Sequence, residues 1–280
     1  MAIGQVICDF RLPNVDLSMR RRIFNNIKTY CLTKDLVVKI REKRTFVRQH
    51  CHPADALDPF YLERQEMKIQ ITKDDIDYAL TPSPWDLGNN KLYSLCQDHP
   101  KNVHDDEIIA KMWLIGRAYA AAIERRKKAK GTSDDFYETT VVEKIKKSKL
   151  DQWLAGLPKR LTNPWTELGH IITVHKRLVD LFFRMTGLEK RSLASKYLHF
   201  HRPDLFFIYD SRAKEAISKV TPHLNQINNI TAEVQDSEYH TFCRRAQCMK
   251  ESIKKQFAKN LNPRQIDKIL LRITDKTRNA

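Results

Sequence analysis

Beyond Asp106 the apolar positions recur at helical spacing. Between Asp106 and Lys128, the residues Ile109, Met112, Trp113, Gly116, Tyr119, Ala120 and Ile123 share one face, and Arg125, Arg126, Lys127 and Lys128 close the segment. That spacing predicts a helix whose terminal cations oppose the negative end of its dipole. Gly116 in its middle predicts close approach of a neighbouring helix, with Arg117 beside it. After a loop at Gly131-Thr132-Ser133-Asp134-Asp135, the residues Val142, Ile145, Leu150, Trp153 and Leu154 predict a helix from Val141 to Leu157.

Asn163 and Pro164 then predict the start of a helix that runs through Leu168, Ile171, His175, Leu178 and Phe182 to Gly187. An Asn oxygen accepts an unbonded amide of the first turn, proline lacks one of those amides, and glycine tolerates the left-handed terminus. A second helix from Glu189 to about His201 follows at once and forms a tight hairpin with the first. It stops before Pro203. Leu205-Phe206-Phe207-Ile208-Tyr209 reads as a buried extended run, Asp210 opens the next helix, and from Thr241 the chain is helical and basic.

The N-terminal part differs. Leu36-Val37-Val38-Lys39-Ile40 and Met67-Lys68-Ile69-Gln70-Ile71 are short β-prone runs beside a helix near Leu17 to Tyr30. Thr81-Pro82-Ser83-Pro84 interrupts regular structure, because proline removes donors and biases its predecessor toward extended backbone. The expectation is a mainly α protein, with an α+β region over residues 1–80 and a helical region over 81–280. Only 7 glycines in 280 residues agree with helices joined by short connections.

Charge narrows the partner. With 50 Lys+Arg against 34 Asp+Glu, the net charge of +16 attracts polyanions. No Lys-only tail or amphipathic membrane helix points to lipid, so the expected partner is nucleic acid, with no membrane. No run approaches about 18 consecutive apolar residues, and Met1 to Leu12 lacks the order of a signal peptide, so a cytoplasmic monomer is expected. The 6 cysteines are scattered and expected to be reduced thiols. Neither His50-Cys51-His52 nor Cys243 with Cys248 has paired metal-ligand spacing, so neither a metal nor a cofactor is expected.

The order helix, Gly187 turn, helix, apolar run, Asp210, helix, over Thr162 to Ile217, resembles the helix-hairpin-helix DNA glycosylases of the 8-oxoguanine-glycosylase type. The residues concerned are Thr186-Gly187-Leu188-Glu189-Lys190-Arg191-Ser192, Ala194-Ser195-Lys196-Tyr197-Leu198-His199-Phe200 and Phe207-Ile208-Tyr209-Asp210-Ser211-Arg212. The resemblance implies a helical bundle that excises a base from DNA, with Asp210 as the catalytic carboxylate. Two departures matter. Glu189 replaces the second hairpin glycine, and Arg191 stands where lyase-type members carry a nucleophilic lysine. Arginine stays protonated, so a monofunctional, water-using enzyme is expected, with Lys190 as a secondary catalytic candidate. Gly187, Arg191, Lys196 and Arg212 are the expected DNA contacts.

Base excision needs an extruded nucleotide held by aromatic and polar walls. Trp85, Asn89 and Asn90 on an expected loop, Arg117 with Tyr119, and His199 with His201 are the candidates. Each also has a plain structural use, as core, turn or helix-packing residue. The family resemblance extends to prokaryotic antiviral members, so a hypermodified phage base such as glucosylated hydroxymethylcytosine is among the implied substrates. Two alternatives stand beside this reading. One is a metal-dependent nuclease using Asp58 with Glu66-Met67-Lys68, and the other is a non-catalytic basic DNA-binding protein in which Asp210 only caps a helix.

Overall fold

The computed structural model describes residues 70–127, 132–221 and 236–278. The chain divides into compact units Met1–Ala56 and Leu57–Ala280, and every described residue belongs to the second. The helix near Leu17 to Tyr30, the run at 36–40, most of Met67 to Ile71, and Asp58, Glu66 and Lys68 lie outside the described residues. Those that are described form a mainly α structure without strands. No helix among them is long and apolar enough to cross a membrane.

Helix α1 (Lys73–Leu80) begins with a reciprocal cap between Thr72 and Asp75 and packs along the last helix, α11 (Pro263–Arg278). Arg272 and Lys276 of α11 reach Asp75 at 3.1 and 2.7 Å. The segment before Thr81-Pro82 is therefore built into the same body as the C-terminus rather than parted from it at residue 81.

Helix α2 (Pro84–Asp98) takes in the whole of Trp85 to Tyr93, which is not a loop. The Ser83 amide and hydroxyl both donate to Asp86 Oδ2 at 2.8 Å, and Pro84 occupies the first turn. This cap, together with the buried row Asn89, Leu92 and Cys96, outweighs the turn preference of Gly88-Asn89-Asn90.

Helix α3 (Asp105–Ala118) ends well short of Lys128. Ala120 turns left-handed at φ 51°, and the Ala121 amide donates to the Gly116 carbonyl at 2.7 Å. A Cβ on Gly116 would stand 3.2 Å from Ala122 Cα. The glycine thus admits the chain's own return and not a neighbouring helix.

The helix expected from Val141 to Leu157 is interrupted. Helical structure starts earlier, at the end of the expected loop, with α4 (Ser133–Phe136) and a π-helical turn (Tyr137–Val142), and continues as the separate short helices α5 (Glu143–Lys146) and α6 (Leu150–Ala155). Ser148 Oγ donates to the Ile145 carbonyl at 2.6 Å and accepts from the Leu150 amide at 3.2 Å, ending one element and starting the next.

The hairpin forms as α7 (Pro164–Thr186) and α8 (Arg191–His201). Asn163 Oδ1 accepts from the Trp165 amide at 3.0 Å, and Gly187 closes α7 at φ 70°. Leu205 to Tyr209 is buried but forms no strand: the Leu205 amide closes a turn on the Arg202 carbonyl at 3.1 Å, and Phe206 to Tyr209 follow outside any regular element. Side chains satisfy its backbone instead. His199 binds the Phe206 carbonyl at 2.8 Å, Tyr239 donates to that of Phe207 at 2.8 Å, and Ser195 accepts from the Tyr209 amide at 3.0 Å. Asp210 then caps α9 (Ser211–Val220), and the basic tail resolves into α10 (Ser237–Phe257) and α11.

The buried side chains form two cores. Among the described residues, one gathers α2, α3, the α4-to-α6 segment, α8 and, from α7, Ile171, Val174 and the apolar side chains from Leu178 to Met185. The other gathers α1, α9, α10, α11 and, from α7, Leu168 and Ile172. Helix α7 is therefore the spine of both.

Candidate functional site

Asp210 sits at the seam between the cores. Its Oδ1 accepts from the Ala213 amide at 2.9 Å, the ordinary bond of a helix cap. Its Oδ2 faces Lys196 Nζ at 3.3 Å, and a quarter of the side chain remains exposed. Lys196 is buried, donates also to Ser192 Oγ at 2.8 Å, and lies 5.4 Å from the centre of the Tyr119 ring. Lys196 therefore supports Asp210 from within and offers no contact to a DNA backbone.

Behind this pair stands Asp267 of α11, which is buried and ion-paired with Arg264. Burial, reinforced by the negative charge of Asp210, raises its pKa to about 6 against the opposing effects of Arg264 and Lys196. Its Oδ1 has no hydrogen-bond partner among the described residues. Arg264 and the buried Lys268 also approach Asp86, at 3.6 and 2.9 Å. Burial works to raise the Asp86 pKa, but the Lys268 and Ser83 bonds prevail and lower it to about 2.

A cleft of about 610 Å³ opens between the α1–α2 turn, α2 and α11. Asn89, Asn90, Tyr93, His199, Arg264 and Lys268 are among its lining. Asp210 and Lys196 stand outside that lining, and Tyr119 forms the link. Its hydroxyl donates to Asn89 Oδ1 at 2.9 Å while its ring faces Lys196. Asn89 is buried, and its Nδ2 has no partner among the described residues.

Several expected wall residues are used elsewhere. Trp85 is 75% exposed and is not part of the lining of this cleft. Arg117 pairs with Glu124 at 2.5 Å and lies over the Trp113 ring. His199 is wholly buried. A carbonyl can only accept, so its Nδ1 carries the hydrogen given to Phe206, and its Nε2 accepts from Tyr93 at 2.6 Å. Both ring nitrogens thus hold the fold together. His201 stacks on Tyr197 and donates to the Tyr197 carbonyl at 2.9 Å.

The hairpin likewise offers little to phosphate. Arg191 is engaged by Asp236 at 2.6 Å, Glu189 at 2.5 Å and Glu238 at 3.5 Å. Arg212 pairs with Asp275 at 2.5 Å. Gly187 ends α7 with the Lys127 side chain packed over it. Lys190 donates to the Ala122 carbonyl at 2.9 Å; burial, aided by Arg125, lowers its pKa, and no bond joins it to Asp210.

Asp86, Arg264, Asp267 and Lys268 were not among the residues the sequence singled out as a site, whereas Tyr93 closes the run from Trp85 that it did. Arg264, Asp267 and Lys268 lie three and four positions apart on α11, which marks one helical face, but the run reads as a solvated basic tail. The described residues contain no group of three His, Cys, Asp or Glu side chains that could hold a metal ion, and Cys96, Cys243 and Cys248 are free thiols. Comparison with family models, curated proteins and solved structures returned no match.

Proposed function

We propose that this chain is a monofunctional DNA N-glycosylase of the helix-hairpin-helix kind, with Asp210 as its catalytic carboxylate. The observation that carries the reading is the division of labour within Asp210. One oxygen caps α9, and the other is held by a buried ammonium while the side chain still reaches solvent. Breaking an N-glycosidic bond builds positive charge on the sugar, and a fixed carboxylate stabilises that charge and orients water. Lys196 is the positioning residue. It is too deeply buried to attack the sugar, and Lys190 is held by a backbone carbonyl, so water is the nucleophile. The cleft beside Tyr119, with the unpartnered Asn89 amide in its wall, is the place for the extruded base. Excess positive charge draws in the DNA, which the protein binds as a monomer in the cytoplasm.

The test is Asp210→Asn. Asparagine keeps a capping oxygen, so stability should change by less than about 1 kcal/mol and DNA binding should persist. Base release should fall by about 100-fold or more. The assay incubates the protein with DNAs bearing natural and viral base modifications in EDTA, then scores alkali-labile sites and freed bases by mass spectrometry. Borohydride should trap no covalent adduct. A second reading, a non-catalytic DNA-binding protein, is favoured by the ordinary cap bond to Ala213. Equal base release by both proteins would remove Asp210 from the mechanism, and no release from any DNA would leave the second reading.

A further inference from the structure

A second concave surface lies on the side of the first core, away from Asp210. It is a groove of about 640 Å³ between α6 and α7, lined among others by Lys149, Trp153, His170, Arg177, Asp180 and Arg184. His170, Arg177 and Arg184 follow one another at intervals of seven on α7. Seven residues advance a helix by about 10 Å, so the three side chains form one row about 20 Å long. Lys149 faces that row from the start of α6.

The row is not explained by ion pairing. Lys149, Arg177 and Arg184 are exposed and have no acidic partner among the described residues. Asp180, the one acid in the groove, is already paired with Lys176. Arg177 lies 5.8 Å from the centre of the Trp153 ring, and that ring is only partly buried against the core. The surface therefore combines unneutralised cations in a row with an accessible aromatic face. That combination suits a strand whose phosphates follow the cations and whose unpaired base stacks on an aromatic ring.

We propose that this groove binds a segment of single-stranded nucleic acid, with the backbone along Lys149, His170, Arg177 and Arg184 and one base on Trp153. The site is independent of the chemistry assigned to Asp210. It would hold a strand whether or not that strand loses a base.

The experiment measures fluorescence anisotropy of labelled oligothymidylate with the full-length protein across a salt series, for wild type, Arg177→Glu/Arg184→Glu and Asp210→Asn. Each lost phosphate contact on a single strand lowers the salt slope by about 0.7, so the double variant should lose about 1.4 of the slope. Its affinity at 0.1 M salt should fall by about 25-fold or more, by the same relation. Asp210→Asn should bind as wild type does. Oligothymidylate should also quench tryptophan emission, and Trp153→Phe should lose that part of the quenching. Both arginines are exposed, so circular dichroism should give wild-type melting for the double variant. Unchanged affinity and slope in the double variant would overturn the proposal. So would quenching that is undiminished in Trp153→Phe, or binding confined to duplex DNA or to anionic phosphatidylserine vesicles.

Discussion

Lowering the pH from 7 to 5 should destabilise this protein, because burial holds imidazoles in neutral form, His175 and His199 most deeply, with His201 and His240 shifted in the same direction. His175 is stacked on Tyr239 at 3.6 Å, its Nδ1 has no hydrogen-bond partner among the described residues, and Asp236 lies 3.9 Å away. His199 spends both nitrogens on Phe206 and Tyr93. Burial is the main cause that pushes each pKa from 6.5 to about 4. Below pH 6.5 the unfolded chain therefore takes up protons that the folded chain refuses, and stability falls until pH 4 is passed. Integrated from pH 7 to 5, the loss is about 2 kcal/mol for each histidine, or about 4 for the pair. Asp267 acts in the opposite sense. Its pKa is raised from 3.8 to about 6, so the folded state gains protons first as the pH falls through 6. That returns about 1 kcal/mol by pH 5, so His175 and His199 alone outweigh it by about 3 kcal/mol, and His201 and His240, which burial also lowers to about 4, add to the loss. Against a typical total of about 5–15 kcal/mol, such a loss is large. Urea unfolding followed by circular dichroism at pH 7, 6 and 5 measures it. His199→Gln should be less stable at pH 7 but should have a shallower pH dependence, by about 1 kcal/mol per unit near pH 5. Stability that holds or rises from pH 7 to 5, or an unchanged slope in His199→Gln, would refute the reasoning.

Gly187→Ala should cost about 1–2 kcal/mol through the left-handed φ of 70° alone, since the added Cβ meets only the flexible Lys127 side chain at 3.5 Å; the urea midpoint measures it. Arg191→Ala should cost about 3–5 kcal/mol, because it strands the buried Asp236 carboxylate. If Arg191 instead gripped phosphate, its loss would lower DNA affinity and leave the melting temperature in place.

The elements legible in the sequence are those whose ends are decided by adjacent residues. Asn163, Pro164 and Gly187 bracket α7 because each acts on its own turn of backbone, and Asp210 heads α9 for the same reason. Trp85 to Tyr93 is helical rather than a loop because the Ser83–Asp86 cap that precedes it outweighs the turn preference of Gly88-Asn89-Asn90. The early end of α3 has no comparable local mark. It follows from Ala122 folding back against Gly116, a contact that apolar periodicity does not encode. The candidate site divides in the same way. Asp210 is visible in a linear pattern, whereas its approach to Lys196 and Asp267 depends on how α8, α9 and α11 meet.

Stability alone accounts poorly for that meeting. A buried ammonium and its partner carboxylate lose hydration worth several kcal/mol per ion, and well-packed apolar side chains of similar size often serve as well or better. Capping α9 does not require a charge either, since Asn or Ser would satisfy the Ala213 amide about equally. Yet Lys196 is buried against Asp210, and Asp267 lies close enough for the Asp210 charge to raise its pKa. A carboxylate whose pKa is raised by burial and by a neighbouring charge, beside a partly open cleft, is more typical of working sites than of helix ends. Under the proposed reading each part has a use. Lys196 fixes the direction of Oδ2, and the exposed quarter of Asp210 brings that oxygen to the rim where a cationic sugar would form. A neutral cap would meet the needs of the helix and remove the charge that Lys196 holds in place.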